Sequence, residues 1–301
     1  MVKKDLFGNY ERYTLSSAEL SVSVINSGAT VTDICFRGRA CALGYEDPAA
    51  YARNDSFLGA AVGRYANRIA RAEIELDGQV YKLEANEGQN QLHGGPGTWA
   101  QLLWSAEILN DDSVRFSLVA PDGENGFPGT MHASVTYTVK GSALRLDFEG
   151  RTDKPTVFAP TTHIYFNLDG NNVLDTQMQI RASSWLPVDG QLIPTGVFAP
   201  CEGAFNFTIL RQIRQDFDHC FVLDGEDACM AQAGGITLRL KTDLPGMQLY
   251  TGKHLGAPFG PNGGFAIEPE FFPDSPHHPE WPSPVLRPGE TFRCYAEYRF
   301  E

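Results

Sequence analysis

The chain is poor in basic charge for its length. Its 301 residues carry 24 Lys and Arg against 37 Asp and Glu, a formal net charge of −13. Nucleic acid is therefore not an expected partner, because phosphate-backbone binding wants a basic surface. The same balance weighs less against phosphorylated small molecules, since a local Arg cluster can hide inside an acidic total. Cysteine is sparse: six residues, at 35, 41, 201, 220, 229 and 294, form no CxxC pair. That pattern predicts free, buried thiols in a cytoplasmic protein rather than a disulfide framework. No run of about 18 apolar residues occurs, so no membrane span is expected. The charged start, Met1 to Glu11, lacks an apolar core, and no signal peptide is evident in it. The seven histidines show no HExxH or comparable ligand spacing, so no metal is expected. Internal repeats, low-complexity tracts, charge runs and linker-like stretches are all missing. One domain over residues 1–301 follows.

What is present is alternation. With 42% hydrophobic and 20% charged residues the chain can bury a sizeable core. Apolar and polar residues alternate in Leu20–Ile25, Val114–Val119, Val135–Val139, Leu144–Phe148, Ile236–Leu240 and Phe292–Phe300, the pattern of half-buried strands. Asp77-Gly78, between Ile74-Glu75-Leu76 and Val80-Tyr81-Lys82-Leu83, is a two-residue hairpin signal. Thirty glycines and 19 prolines punctuate the chain at the short intervals a many-stranded fold needs. Helical candidates are few: Pro48–Arg53 and Thr208–Arg214, with Trp99–Leu109 readable either as helix or as a strand beginning near Leu103. The expected fold is all-β, with large antiparallel sheets stacked face to face and few short helices.

Two segments carry the strongest chemical signal. Pro160-Thr161-Thr162-His163-Ile164-Tyr165-Phe166-Asn167 puts one imidazole inside an extended aromatic stretch, closed by a turn at Leu168-Asp169-Gly170. Phe265-Ala266-Ile267-Glu268-Pro269-Glu270 puts two carboxylates into an apolar strand, where a buried Glu is rare unless paired or functional. In an extended segment Glu268 and Glu270 share a face, and their repulsion raises the apparent pKa of the pair. A histidine and a glutamate in one pocket form an acid/base pair for proton transfer near neutral pH. The plain alternative for His163 is a core histidine bonded by neighbouring hydroxyls. Gly63-Arg64-Tyr65-Ala66-Asn67-Arg68-Ile69 offers two guanidinium groups and an amide for binding adjacent oxygens, or a structural ion pair. The Gly-rich run around His93 is no phosphate loop, lacking the Lys-Ser/Thr ending; its glycines allow close backbone approach to a ligand. Asp218, beside His219, is a candidate hydroxyl acceptor from a loop. His277-His278, between prolines, reads as a solvated surface pair.

Together these pieces resemble the aldose 1-epimerase (galactose mutarotase) family. The resemblance runs through most of the chain, in order: Val62 to Ile69, Asn90 to Gly95, Pro121 to Gly129, His163 to Leu168, Ile193 to Gly196, Phe217 to His219, Tyr250 to Gly252, Phe272 to Pro276 and Leu286 to Glu290. It implies a β-supersandwich and cofactor-free interconversion of the α and β anomers of a free hexose, with the sugar as the partner and a monomeric or homodimeric state. In that reading Glu268 is the general base at the anomeric hydroxyl and His163 the general acid at the ring oxygen. His93 assists there, while Asn67, Arg68, Asp218 and Gln248 hold sugar hydroxyls. The sequence departs from the family pattern at Thr162, Ile164 and Glu270, the last a carboxylate in place of an amide that bears on which hydroxyls are recognised. Alternatives remain. A hexose-6-phosphate 1-epimerase would need basic side chains at the pocket mouth, with Arg64 and Lys253 as candidates. Glycoside hydrolysis needs carboxylates on opposite sides of a bond, which one strand does not readily supply. A binding protein on the same fold would have no need of the acid/base pair.

Overall fold

The computed structural model describes residues 1–301, and the all-β expectation holds. A nine-stranded antiparallel sheet runs in the order Ser105–Asn110, Ser113–Ala120, Met131–Lys140, Ala143–Thr152, Phe292–Phe300, Ile236–Thr242, Asp227–Ala233, Gln177–Ile180 and Arg211–Gln212. A six-stranded sheet runs Tyr165–Phe166, Phe265–Glu270, Gly246–Tyr250, Asp218–Leu223, Ala182–Trp185 and Ala199–Pro200. The N-terminal third contributes a five-stranded meander from Val2–Phe7 to Arg39–Ala40.

Side-chain alternation decides which face of each strand goes inward. Along Met131–Lys140 every second residue, Met131 through Val139, faces the core, while His132, Ser134, Thr136 and Thr138 face outward. The neighbouring Ala143–Thr152 is paired in unbroken register, Tyr137 opposite Leu146 and Val135 opposite Phe148. The largest buried cluster draws on all three sheets, with Val22, Phe116, Leu146, Phe166, Ile267 and Tyr298 among its members. Two buried phenols tie the layers together: Tyr298 donates to the Ile267 carbonyl (3.1 Å), and Tyr137 to that of Ala29 (2.6 Å). Tyr298 therefore pins the strand that carries Glu268 onto the large sheet.

Helix is confined to single 3₁₀ turns. Pro48–Ala52 is one, capped by Asp47 through the Ala49 amide. Trp99–Gln101 is another, after which the chain runs as the edge strand Ser105–Asn110. The helix expected at Thr208–Arg214 does not form. Ile213 is buried and Ile209 is 67% exposed, so the two do not share the face that a helical i,i+4 spacing would give them. Arg211–Gln212 instead pairs with Gln177–Met178 as a sheet edge. The Asp77-Gly78 hairpin is present, with Leu76 opposite Gln79. All six cysteines are free, and no helix is long and apolar enough to cross a membrane.

Candidate functional site

The six-stranded sheet supplies the floor of the site. Its register sets Glu268 opposite Gln248, and Gln248 opposite Cys220, two residues along from Asp218. The Gln248 amide donates to Asp218 Oδ1 at 2.6 Å, so Asp218, Gln248 and Glu268 form a polar stripe on one face. Asp218 opens the strand Asp218–Leu223 rather than lying in a loop.

One wall is the His163 segment. Its backbone is clamped on both sides, with the His163 N–H donating to the Ala60 carbonyl and the Gly59 N–H to the His163 carbonyl, each at 2.9 Å. The Thr161 hydroxyl donates to the Pro269 carbonyl (2.7 Å), which binds this wall to the floor. The result is His163 Nε2 at 3.6 Å from Glu268 Oε1, with both residues almost wholly buried.

The facing wall is built from Asn67, Arg68 and His93. Asn67 (φ +61°) and His93 (φ +50°) both sit in the left-handed region, and they grip one another. The His93 N–H donates to the Asn67 carbonyl (3.0 Å), and the Asn67 N–H donates to His93 Nδ1 (3.1 Å). A close backbone approach makes this possible: a Cβ on Gly94 would lie 2.0 Å from the Gly63 carbonyl oxygen. Gly94 thus admits the chain's own backbone, not a ligand. Arg68 donates a two-pronged pair of bonds to Glu87, at 2.6 and 2.8 Å. Phe57, in a loop fastened by the buried Asn54 side chain to Leu58, packs against His93 with the ring centres 4.6 Å apart and the planes tilted by 56°.

These walls enclose a cavity of about 210 Å³, lined by Asn67, Arg68, His93, His163, Asp218, Gln248 and Glu268 together with Phe57, Tyr165 and Tyr250. Seven of the eight site residues expected from the sequence therefore converge. Glu270 is the exception. It is fully buried behind the wall, where the Asn67 amide donates to its two oxygens at 3.2 and 3.4 Å. A strand's two-residue repeat puts it on the same face as Glu268, but Asn67 covers it. Four contributors were not foreseen: Phe57, Tyr165 and Tyr250 in the wall, and Glu87 as the anchor of Arg68. Glu87 lies 19 residues along the chain from Arg68, and only the fold brings the two together.

Other expectations shift. Arg64 is 1% exposed and donates to the Pro128 and Gly129 carbonyls (both 2.9 Å), where burial pushes its pKa down to about 10. It does not reach the cavity. Lys253 pairs with Asp216 at 3.2 Å. His277-His278 is not simply solvated. His277 Nδ1 lies 2.6 Å from the buried Asp274 carboxylate, and the His278 ring stacks on Trp281 at 3.8 Å. Asp274 in turn accepts from the Ala70 N–H (2.8 Å), bracing the chain just beyond Arg68.

The electrostatics are those of a dry pocket. Burial lowers the His163 pKa to about 4, and lowers that of His93 well below the ordinary imidazole value, with His163 and Arg68 adding to the effect. Burial, with Asp218 nearby, raises Glu268 well above the usual carboxylate range, against the pull of Arg68. Glu268 Oε2 and Gln248 Oε1 are buried and have no hydrogen-bond partner within the protein, an unsatisfied polarity that folded interiors seldom keep. His93, His163 and Glu268 lie close enough to suggest a metal triad. The donor chemistry argues otherwise. Because His93 Nδ1 accepts from the Asn67 backbone, the neutral ring carries its proton on Nε2, and that nitrogen is a donor rather than a ligand. What the arrangement can do is move protons: a carboxyl and an imidazole in contact, an N–H donor beside them, and a ring of hydroxyl-binding groups around.

A family model described as aldose 1-epimerase matches residues 11–299. Galactose mutarotase of Bos taurus is 35% identical, over 97% of this chain and 94% of its own length. Aldose 1-epimerase of Escherichia coli K12 is 36% identical, over 97% and 95%. Among solved structures, the GalM/aldose epimerase homologue of C. elegans superimposes with a TM-score of 0.93 at 27% identity, covering 97% of this chain and 99% of that one. Galactose 1-epimerase of Lactobacillus acidophilus gives 0.91 at 28% identity, covering 100% and 98%.

Proposed function

The chain belongs to the aldose 1-epimerase family, and from that premise we propose that it works as one catalytic unit interconverting the α and β anomers of a free, neutral hexose. It is an isomerase of this class, and the observation that carries the reading is the buried contact between His163 Nε2 and Glu268 Oε1.

The reaction opens the ring. Glu268 takes the proton from the anomeric hydroxyl, the C1–O bond to the ring oxygen breaks, and His163 delivers a proton to that oxygen. The free aldehyde turns about the C1–C2 bond, and the same two groups run in reverse to close the ring on the other face. The pair holds one proton in total throughout, as carboxylate with imidazolium before opening and as carboxylic acid with neutral imidazole after it. Burial favours the second, uncharged arrangement in both residues. Sugar hydroxyls, with the Arg68 guanidinium and the His93 N–H, supply the stabilisation that the ionic arrangement needs.

The mouth of the pocket favours a neutral substrate. The exposed Asp55 lines it, Arg53 is bound to Asp55 at 2.6 Å, and Lys253 is bound to Asp216. Arg64 is turned away, so a phosphate group would meet carboxylates there. The volume is below the few hundred cubic ångströms usual for drug-sized ligands and suits one sugar ring. Free cysteines fit a reducing, cytoplasmic setting. The test is polarimetry of freshly dissolved α-D-galactose, α-D-glucose and α-D-glucose 6-phosphate. Faster decay of rotation for a free sugar and not for the phosphate is expected. Preference for the phosphate would overturn the substrate class, and acceleration of none of them would leave binding alone.

A further inference from the structure

Glu270 is a buried carboxyl with no role in the proton transfer just described. It is completely shielded from solvent, two residues along the strand from Glu268. The titratable and charged groups that face it can be named in full. Cys220 and Asp218 come from the strand Asp218–Leu223, Glu268 from its own strand, and Tyr65 and Arg68 from the segment that carries Asn67. None of them is a free cation in contact with it. Arg68, the one positive charge, is committed to Glu87 through both prongs of its guanidinium. The direct partner of Glu270 is the Asn67 amide, which reaches both oxygens, while the Cys220 thiol donates to the Phe221 carbonyl at 3.8 Å. A single amide donor does not compensate a fully desolvated charge, and Glu268 nearby opposes it further.

We propose that Glu270 is a positioning residue that stays an uncharged acid beneath the pocket wall, fixing the Asn67 amide and leaving Glu268 as the one member of the adjacent carboxyl pair that carries charge. The inference rests on the acid/base reading of Glu268. Burial and the neighbouring Glu268 both raise the Glu270 pKa, in the same direction. Of two coupled carboxyls, the one that touches the cavity and feels Arg68 ionises first, and the sealed one keeps the shared proton. Asn67 occupies a left-handed backbone position and meets His93 through the backbone. Its side chain is held in place by two things alone: the Glu270 carboxyl, and the bond its carbonyl oxygen accepts from the Arg68 N–H (2.9 Å). An acid whose carbonyl accepts from Asn67 does the work of an amide.

The experiment compares Glu270→Gln with wild type in two readouts. Thermal unfolding followed from pH 5 to pH 8 does not depend on activity. A group kept protonated by the fold makes stability fall as pH rises above the ordinary carboxylate value, so the variant's melting temperature should pull ahead of wild type by about 2–4 °C per pH unit. In the pH dependence of kcat/KM, the alkaline limb, set by Glu268, should coincide in Glu270→Gln and wild type. An alkaline limb moved down by about one unit in the variant would show Glu270 ionised and loading Glu268, and would overturn the proposal. So would a melting-temperature gap independent of pH. Glu270→Asp, which withdraws the carboxyl from Asn67, should raise KM with kcat little changed; unchanged KM would remove the positioning role. The thermal result stands even if no sugar is turned over, which separates this inference from the mutarotase reading.

Discussion

Replacing Glu268 with Gln tests the chemistry and the electrostatics in one variant. The change is isosteric, so the strand, its Gln248 neighbour and the cavity wall keep their places. It removes the one group that accepts the anomeric proton, and general-base catalysis contributes about 10²–10⁴ in rate. A loss of kcat by that factor, about 3–5 kcal/mol of barrier, is expected in polarimetry of α-D-galactose. Stability should move the other way. The folded-state pKa of Glu268 lies well above its ordinary value of 4.5, because burial and Asp218 disfavour the charge. The native state thus holds a proton that the unfolded state has lost, and stability falls as pH rises from 4.5 towards the folded value, by about 1.4 kcal/mol per unit. Gln carries no such penalty. Glu268→Gln should match wild type in thermal unfolding near pH 4.5 and exceed it by several degrees at pH 8. A variant that is inactive and less stable at every pH would refute the reasoning, because it would make Glu268 a structural group.

Four other outcomes follow from the geometry. The activity profile should be bell-shaped, since only the form of the His163–Glu268 pair holding one proton is competent. The acid limb should fall near the His163 value of about 4 and the alkaline limb at the raised Glu268 value, and a sigmoidal profile would contradict the shared proton. His163 also adds acid lability: its folded pKa is lowered, so its contribution to stability is lost as pH falls from 6.5 towards 4, measurable as a drop in melting temperature that His163→Asn lacks. Glu87→Gln should loosen the Arg68 fork and raise KM for the sugar about 5- to 30-fold with a much smaller effect on kcat, read from initial rates. Gly63→Ala should cost about 1–3 kcal/mol in denaturant unfolding, because its new Cβ would lie 2.3 Å from the Trp99 ring at the base of the Asn67 segment.

Local pattern and tertiary placement divide what the sequence could tell. Strands such as Leu20–Ile25 and Phe292–Phe300 were legible because their alternation matches the two-residue repeat of a half-buried sheet. His163 and Glu268 were legible because ionisable residues interrupted apolar strands. Glu270 was misjudged from the same repeat: the face was right, but strand periodicity says nothing of the Asn67 side chain that covers that face. Glu87 and Phe57 were passed over because each lies in a loop, and their places depend on contacts made across the fold, with Arg68 and His93 respectively. Arg64, three residues before Asn67, points away from the pocket to satisfy two carbonyls. Thr208–Arg214 was misread because helix and short-strand signals are indistinguishable over seven residues, and pairing with Gln177–Met178 decided it.

The central claim is that ring opening by His163 and Glu268 exchanges anomers while leaving every carbon-bound hydrogen in place. Magnetisation-transfer NMR on equilibrated galactose in D₂O tests it without any optical change to follow. The account predicts protein-dependent exchange between the α and β anomeric proton signals, abolished in Glu268→Gln, with no deuterium entering at C2. Exchange that survives the variant, or deuterium appearing at C2, would contradict it.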